Sequence, residues 1–429
     1  MKAIDNKHNI TTSWAVSFFT FWSGQAVSLV GSSISQFALI WWLTKSTGSA
    51  TVLATATLVS ILPRIFIYPI AGALVDRWNR RWVMIFADCL TAIASAWLAY
   101  LFYCGNIKVG HVYIIMFLRT VGESFHFPAM ISTTTLMVPD RQLTRVAGLN
   151  ETLRGILTMV APPLGALFLE ISSFSWIMLF DLFTAIPAIL TLLFIQIPQP
   201  TALGERLSGL LSLFADVYAG LRYVWHQKGL FAIYSISAIT TLMIRPAFAL
   251  LPILVTQHFG GQVFALAGFE SALGFGVIAG GGILSVWGGF KRRVITIMSG
   301  IIGMGVGLFL TSIVPSTFMS FGIAALFVCG FMFPIIDGPT VALIQSTVQP
   351  GMQGRVFSLL ISISDIFSPI SMIIAGPVAE YFGIRLWYLI GGITCVIMGS
   401  VGLIIPAILT LESTLYNNLN NIKTTIGAK

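Results

Sequence analysis

The chain has 429 residues, of which 56% are hydrophobic and only 9% are charged. Soluble domains carry roughly a quarter charged residues, so this composition excludes a soluble protein, which would have too few charges to cover its surface. The net charge of +8 would favour a nucleic-acid partner only if the basic residues gathered on one soluble face. They fall instead in alternate short loops, and we expect no nucleic-acid partner.

Apolar stretches long enough to cross a bilayer as helices recur along almost the whole chain. We predict an all-α membrane protein with twelve transmembrane helices. The predicted spans are 14–43, 50–75, 82–104, 109–137, 147–172, 174–197, 229–257, 263–288, 294–314, 316–346, 356–381 and 385–411. A long polar connection at 198–228 separates an N-terminal six-helix bundle (1–197) from a C-terminal one (229–411), which a tail at 412–429 follows.

The connection at 198–228 carries apolar residues at steps of three and four positions between Leu207 and Trp225. That spacing predicts an amphipathic helix lying on the membrane surface. Such a helix either tethers the two halves or regulates them.

The lysines and arginines outside the spans are unevenly distributed between the two sides. With the N-terminus inside, only Lys45, Lys108 and Arg385 fall on the outer side. The positive-inside rule therefore predicts that both termini are cytoplasmic. The first apolar run is too long for a signal-peptide core, so we expect no cleavable signal.

A charged hinge, 72–81, joins spans two and three and reads Gly-Ala-Leu-Val-Asp-Arg-Trp-Asn-Arg-Arg. A weaker copy at 281–293 joins spans eight and nine; it keeps the glycines and the basic run but has no acid. Likewise, the Arg145-Val146 pair that opens span five recurs as Arg355-Val356 at span eleven. These repeats predict a duplicated transporter built from two pseudo-symmetric halves.

The hinge resembles the signature of the major facilitator superfamily, G-x-L-[AV]-D-R-x-G-R-R. In that family the segment helps to lock the two halves in the outward-facing state. Asn79 replaces the second glycine, and since Asn tolerates a positive φ, the turn is expected to survive. The candidates for gating, including the arginines that open spans five and eleven, are Gly72, Asp76, Arg77, Arg80, Arg81, Arg145 and Arg355.

Further motifs resemble drug–proton antiporters. Arg119 stands where they keep a buried arginine, and 161–166 looks like a worn form of their G-P-x-x-G-G element. The stretches 22–25, 117–129 and 354–358 look like the macrolide-efflux permeases. The resemblance implies export of amphiphilic, macrolide-like drugs from a bacterial cytoplasmic membrane, driven by proton entry. Export of a native metabolite such as a siderophore, movement of a lysolipid, and a non-transporting receptor or scaffold stay open as alternatives.

Ionisable side chains inside a span are costly unless paired or hydrated, so each is a functional candidate. Arg119, Glu123 and His126 stand at i, i+4 and i+7, on one face of span four. We interpret Glu123 as the proton-binding carboxylate, Arg119 as its cation, and His126 as a relay or substrate contact. The alternative is a static Arg–Glu pair that fixes span four to a neighbour. Asp337 and Asp365, in spans ten and eleven, are weaker candidates for proton coupling.

Other ionisable residues have simpler explanations. Asp88 and Asp181 are expected near helix ends, from which they reach the interface. Glu270, in span eight, either faces Arg245 in a structural pair or takes part in proton coupling, and the same two explanations stay open for Asp337 and Asp365. A large apolar drug pocket is the second expected feature, although aromatic side chains at helical spacing can instead pack or face lipid. The residues expected to line it are Trp22, Gln25, Arg64, Phe125, Arg245, Phe248 and Phe333.

Enzyme motifs are missing from the sequence, which has no G-x-x-x-x-G-K-[ST], H-E-x-x-H or C-x-x-C pattern. We therefore expect a non-enzyme without cofactor or metal. Gly274-x-Gly276-x-x-Ala279 mimics a dinucleotide fingerprint but lies inside a span; with Gly280 and Gly282, these small residues are expected to let helices approach closely. The expected partners are a small amphiphilic substrate, protons and membrane lipid, and the chain is expected to act as a monomer.

Overall fold

The computed structural model describes residues 2–75, 78–197, 221–348 and 350–411, and its regular structure is helical. The long helices of the first half are α1 (Lys2–Thr47), α2 (Ala50–Val75), α3 (Arg80–Tyr103), α4 (Val109–Met137), α5 (Asp140–Ile171) and α6 (Phe174–Phe194). Those of the second half are α7 (Lys228–Ala249), α8 (Val263–Trp287), α9 (Arg293–Ile313), α10 (Met319–Thr347), α11 (Pro350–Phe382) and α12 (Arg385–Ile404), followed by the short α13 (Pro406–Leu409). A helical turn at Leu251–Ile253 and a π-helix at Leu254–His258 extend α7, and a 3₁₀ turn at Ser316–Phe318 precedes α10.

The helices confirm the prediction of an all-α membrane protein. Ten of the described helices are long and apolar enough to cross a bilayer. Of the predicted spans, α4 and α11 are the two that fall outside this set; α4 carries the charged stripe. Predicted span four matches α4 at both ends, whereas α1 and α11 begin earlier than predicted because each continues as a helix into polar sequence.

Contacts divide the chain into two compact units, one of residues 1–48 and 56–210, the other of 49–55 and 211–429. In the first unit, α1 packs against α5 and α6, and α3 packs against α4 and α6. In the second, α7 packs against α11 and α12, and α9 packs against α10 and α12. Every one of these pairs recurs with both helix numbers raised by six, as a duplicated bundle requires.

A pair of arginines repeats in the same way. In the first unit, Arg80 at the start of α3 donates to the carbonyl oxygen of Ser132 on α4 at 3.4 Å. In the second, Arg293 at the start of α9 donates to Ser346 Oγ on α10 at 2.6 Å. The basic end of each hinge therefore fixes equivalent helix pairs, which supports the predicted repeat.

Close packing of α8 on α10 depends on glycine. A Cβ added to Gly276 would lie 2.3 Å from the carbonyl oxygen of Phe327, and one added to Gly280 would lie 2.1 Å from that of Phe331. These neighbours are backbone atoms and cannot turn away. The predicted close approach is confirmed at both glycines, but a Cβ on Gly282 would meet nothing within 4 Å.

Gly280→Ala is expected to reduce the free energy of unfolding by about 1–3 kcal/mol, the usual cost of overpacking. The added methyl group must push α8 away from α10. Thermal unfolding of the purified protein in detergent measures the effect, with Gly282→Ala as the matched control. Equal melting temperatures for the two variants would show that the contact is not required.

Candidate functional site

One face of α4 supplies three ionisable side chains to three different neighbours. Arg119 reaches Asp181 on α6, Glu123 reaches Arg64 on α2, and His126 approaches Asp88 on α3. All six residues belong to the first unit. The predicted stripe is therefore real as a face of the helix, but its members do not pair with each other.

Arg119 and Asp181 form a buried ion pair. Arg119 Nη1 lies 2.7 Å from Asp181 Oδ2, and the two side chains are only 10% and 3% exposed. Ser32 Oγ donates to Asp181 Oδ1 at 2.9 Å and Ser95 Oγ to Oδ2 at 2.6 Å. Arg119 Nη2 also donates to the backbone oxygen of Ser32 at 3.3 Å. The guanidinium and the two hydroxyl donors thus give the buried carboxylate the hydrogen-bonded partners that a buried ion pair requires.

Two expectations from the sequence are wrong at this ion pair. Arg119 is not the cation beside Glu123, because α6 brings Asp181 against it instead. Asp181 is not at a helix end; it lies within α6 and is 2% exposed. Sequence reasoning also missed Ser32 and Ser95. The sequence did contain a signal for these two residues, because each is a hydroxyl side chain inside an apolar span. Such spans also contain, or lie next to, an acid with no partner in the local sequence.

Glu123 forms the second pair. Its Oε2 accepts a hydrogen bond from Arg64 Nη2 at 2.8 Å, and the side chains of Arg64 and Glu123 are 35% and 56% exposed. The Arg64 guanidinium also lies 5.7 Å from the ring of Tyr68, which stacks on Phe127. Arg64, and not Arg119, is therefore the cation beside Glu123. The side chains of this pair are more exposed than those of the Arg119–Asp181 pair.

The third cluster joins α1, α3 and α4 around Asp88. Gln25 Nε2 donates to Asp88 Oδ2 at 3.3 Å, and His126 Nε2 lies 3.4 Å from Asp88 Oδ1. Gln25 is 2% exposed, so it does not line an open pocket as predicted; its amide is used inside the bundle. Asp88 is likewise mostly buried within α3, where its carboxylate contacts Gln25 and His126.

The ionisable candidates of the second unit are less connected. Glu270 and Arg245 are half-buried on α8 and α7, and within the described residues neither makes an ion pair or hydrogen bond, so their predicted pairing is wrong. Asp337 is exposed on α10. Asp365 lies in α11, and its side chain falls outside the described part of the chain.

The aromatic residues predicted for the pocket separate into two groups. In the second unit, Phe248 on α7 and Phe333 on α10 come together, with ring centroids 5.6 Å apart. In the first unit, Trp22 donates from Nε1 to Asn150 Oδ1 at 2.8 Å, and Phe125 stacks on Trp78. Trp22 and Phe125 both pack against a buried apolar core, so part of their surface is used for packing.

The hinge is described on either side of Asp76 and Arg77, which lie outside the described residues. Asn79 has a φ of −68°, and its side chain accepts from the backbone N–H of Arg81. It therefore caps the N-terminus of α3 and does not adopt the positive φ that we expected.

The flanking hinge residues hold helix ends in place. Arg80 is 7% exposed and bonds to α4, while the Arg81 guanidinium donates to the carbonyl oxygen of Leu193 at the end of α6. Arg145 is exposed and donates to Gln142 on its own helix. The remaining gating candidates are Gly72, in the last turn of α2, and Arg355, in α11; the surroundings of Gly72 and the side chain of Arg355 are outside the described set.

Comparison with known proteins identifies the family. The sequence pattern of the Major Facilitator Superfamily matches residues 21–372. The chain belongs to the Major Facilitator Superfamily. It is 33% identical over 380 residues to macrolide efflux protein A of Streptococcus pyogenes, covering 88% of this chain and 93% of that protein. It is 26% identical over 411 residues to the multidrug efflux pump Tap of Mycobacterium tuberculosis, covering 90% and 92%.

Solved transporter structures share the fold of this superfamily member. A POT family transporter in complex with a thioalcohol-conjugated peptide has a TM-score of 0.69 at 13% identity, covering 92% of this chain and 96% of its own. A bacterial homologue of the human lysosomal transporter Spinster has a TM-score of 0.61 at 14% identity, covering 94% and 98%. These likenesses show a shared fold. The family match, together with the membrane-spanning helices, makes the chain a multi-pass membrane transporter.

Proposed function

We propose that this transporter exports amphiphilic, macrolide-like drugs in exchange for protons, by alternating access. The observation that carries the proposal is the near full-length similarity to a protein named for macrolide efflux. Proton exchange is supported by the three ionisable clusters along α4, since membrane-buried charges usually mark ion or substrate pathways.

In this proposal, Glu123 binds the transported proton and Arg64 is the cation that it leaves and rejoins. Protonation of Glu123 breaks the 2.8 Å ion pair and frees Arg64, so proton loading is linked to the side-chain contact between α2 and α4. The Arg119–Asp181 pair stays charged and holds α1, α3, α4 and α6 together while that exchange takes place.

The substrate and gating roles follow the same scheme. Phe248 and Phe333 offer an aromatic surface to an apolar drug, and Arg245 lies about one turn before Phe248 on α7. Asp76 and Arg77 gate at the cytoplasmic face, with Arg80 and Arg81 anchoring the start of α3. Both termini lie in the cytoplasm, as the distribution of basic residues favours. The two halves move within a single chain acting as a monomer.

Everted membrane vesicles from an efflux-deficient bacterium test this function. When respiration acidifies their interior, vesicles containing the protein are expected to accumulate labelled erythromycin, and an uncoupler is expected to stop it. A sodium ionophore serves as the control and should have no effect. Accumulation of a siderophore instead of erythromycin would favour the alternative substrate class, and erythromycin uptake that survives the uncoupler would contradict proton coupling.

A further inference from the structure

Asp88 differs from Asp181 and Glu123 in having no arginine or lysine paired with it. Asp181 has Arg119, and Glu123 has Arg64. Asp88 has the neutral amide of Gln25 at 3.3 Å and the imidazole of His126 at 3.4 Å. Both Asp88 and His126 are largely buried, with side chains 11% and 17% exposed.

Within the part of the chain that the structure describes, no lysine or arginine forms an ion pair with Asp88. Helix α6 also packs on α3. Its one ionisable residue, Asp181, is paired with Arg119. On α3 itself the ionisable neighbour is the Cys89 thiol, which is neutral in its ordinary state. A buried carboxylate in this position can be compensated by taking up a proton or by a protonated imidazole.

The geometry of His126 fits such a change. Its Nε2 is buried, and within the described residues it makes no hydrogen bond, although Asp88 Oδ1 lies 3.4 Å away. Gln25 binds the other carboxylate oxygen, Oδ2, and so leaves Oδ1 turned towards the imidazole. A proton on Nε2 would convert this approach into an ion pair between α3 and α4.

We propose that Asp88 and His126 form a second proton-binding site, with Gln25 orienting the carboxylate. The inference rests on the proposed proton antiport and adds a site to it. Loading forms an N–H bond at His126 Nε2 or an O–H bond at Asp88, and release breaks that bond without any further reactant. His126 lies one turn from Glu123 on α4. Proton binding at Asp88 or His126 therefore changes the contact between α3 and α4, the helix that carries Glu123.

Asp88→Asn tests this site in proteoliposomes with labelled erythromycin as the probe. The variant keeps the oxygen that accepts from Gln25 but cannot bind the proton. Gradient-driven uptake is expected to fall by about tenfold, within the usual range for coupling between two sites. Exchange of erythromycin without a gradient should be retained. Glu170→Gln, which removes an exposed carboxylate near the end of α5, is the matched control and should leave both assays unchanged.

His126→Gln provides the second variant, in case Asp88→Asn does not fold. Its uptake is expected to have a shifted pH midpoint, which a purely structural contact would not produce. Wild-type uptake by Asp88→Asn, loss of exchange together with uptake in a folded Asp88→Asn protein, or an unchanged midpoint in His126→Gln would each overturn the second site. If the wild-type protein itself ignores the pH gradient, the proposed antiport fails first and takes this inference with it.

Discussion

Replacing Arg119 by alanine is expected to reduce the free energy of unfolding by about 3–5 kcal/mol, the cost of leaving a buried charge without its partner. Asp181 would remain 2% exposed inside the first unit with only Ser32 and Ser95 as donors. The bundle would have to admit water, protonate the acid or loosen the packing of α6. Thermal unfolding in detergent, followed by size-exclusion chromatography, measures the loss.

A double variant separates two contributions to stability: the charges of the ion pair and the volume that its side chains fill. Arg119→Met with Asp181→Asn removes both charges while keeping an acceptor for the serine hydroxyls, and it should recover most of the stability lost in Arg119→Ala. Arg141→Ala, which removes an exposed arginine at the start of α5, is the control and should unfold like the wild type. An Arg119→Ala protein as stable as the wild type would contradict a charged pair.

Replacing Glu123 by glutamine is expected to abolish proton-driven drug accumulation with little effect on folding. The Arg64–Glu123 pair is 35% and 56% exposed, and exposed ion pairs contribute only about 0–1 kcal/mol to stability. The effect on transport should be large because glutamine cannot gain or lose the coupling proton. The measurement is erythromycin accumulation in energised everted vesicles.

Two comparisons make the Glu123 result specific. Arg64→Gln should also impair accumulation, since Glu123 would lose the cation that it exchanges with, whereas Glu170→Gln should not. Melting temperatures for the variants establish that each is folded. Wild-type accumulation by Glu123→Gln would remove Glu123 from the proton path and leave Asp88 and His126 as the remaining site in the first unit.

The helices could be predicted from sequence because their signals are local. The bounds of α4 follow from one apolar run, and the spacing of Arg119, Glu123 and His126 places them on one face whatever surrounds them. The duplication was also visible, since the two hinges and the Arg-Val pairs repeat in the sequence. The structure adds equivalent helix contacts in the two units, and equivalent hydrogen bonds from Arg80 and Arg293.

The partners of that face could not be predicted, because they depend on which helices pack against α4. Asp181, Arg64 and Asp88 lie on three different helices, and the local sequence around each looks like an ordinary apolar span. Nearness to a predicted span end did not indicate the burial of Asp88 and Asp181, since position along a helix does not give burial in a bundle. Asn79 shows the same limit. It stands where the family signature has glycine, but it caps α3 and does not adopt a positive φ.

Proton exchange is the central claim, and drug-driven proton movement tests it most directly. The purified protein is reconstituted into proteoliposomes containing a pH-sensitive dye, a pH gradient is imposed, and erythromycin is added. We predict that erythromycin enters against its own gradient while protons leave, and that Glu123→Gln shows neither movement. Erythromycin transport with no change in internal pH would contradict the account.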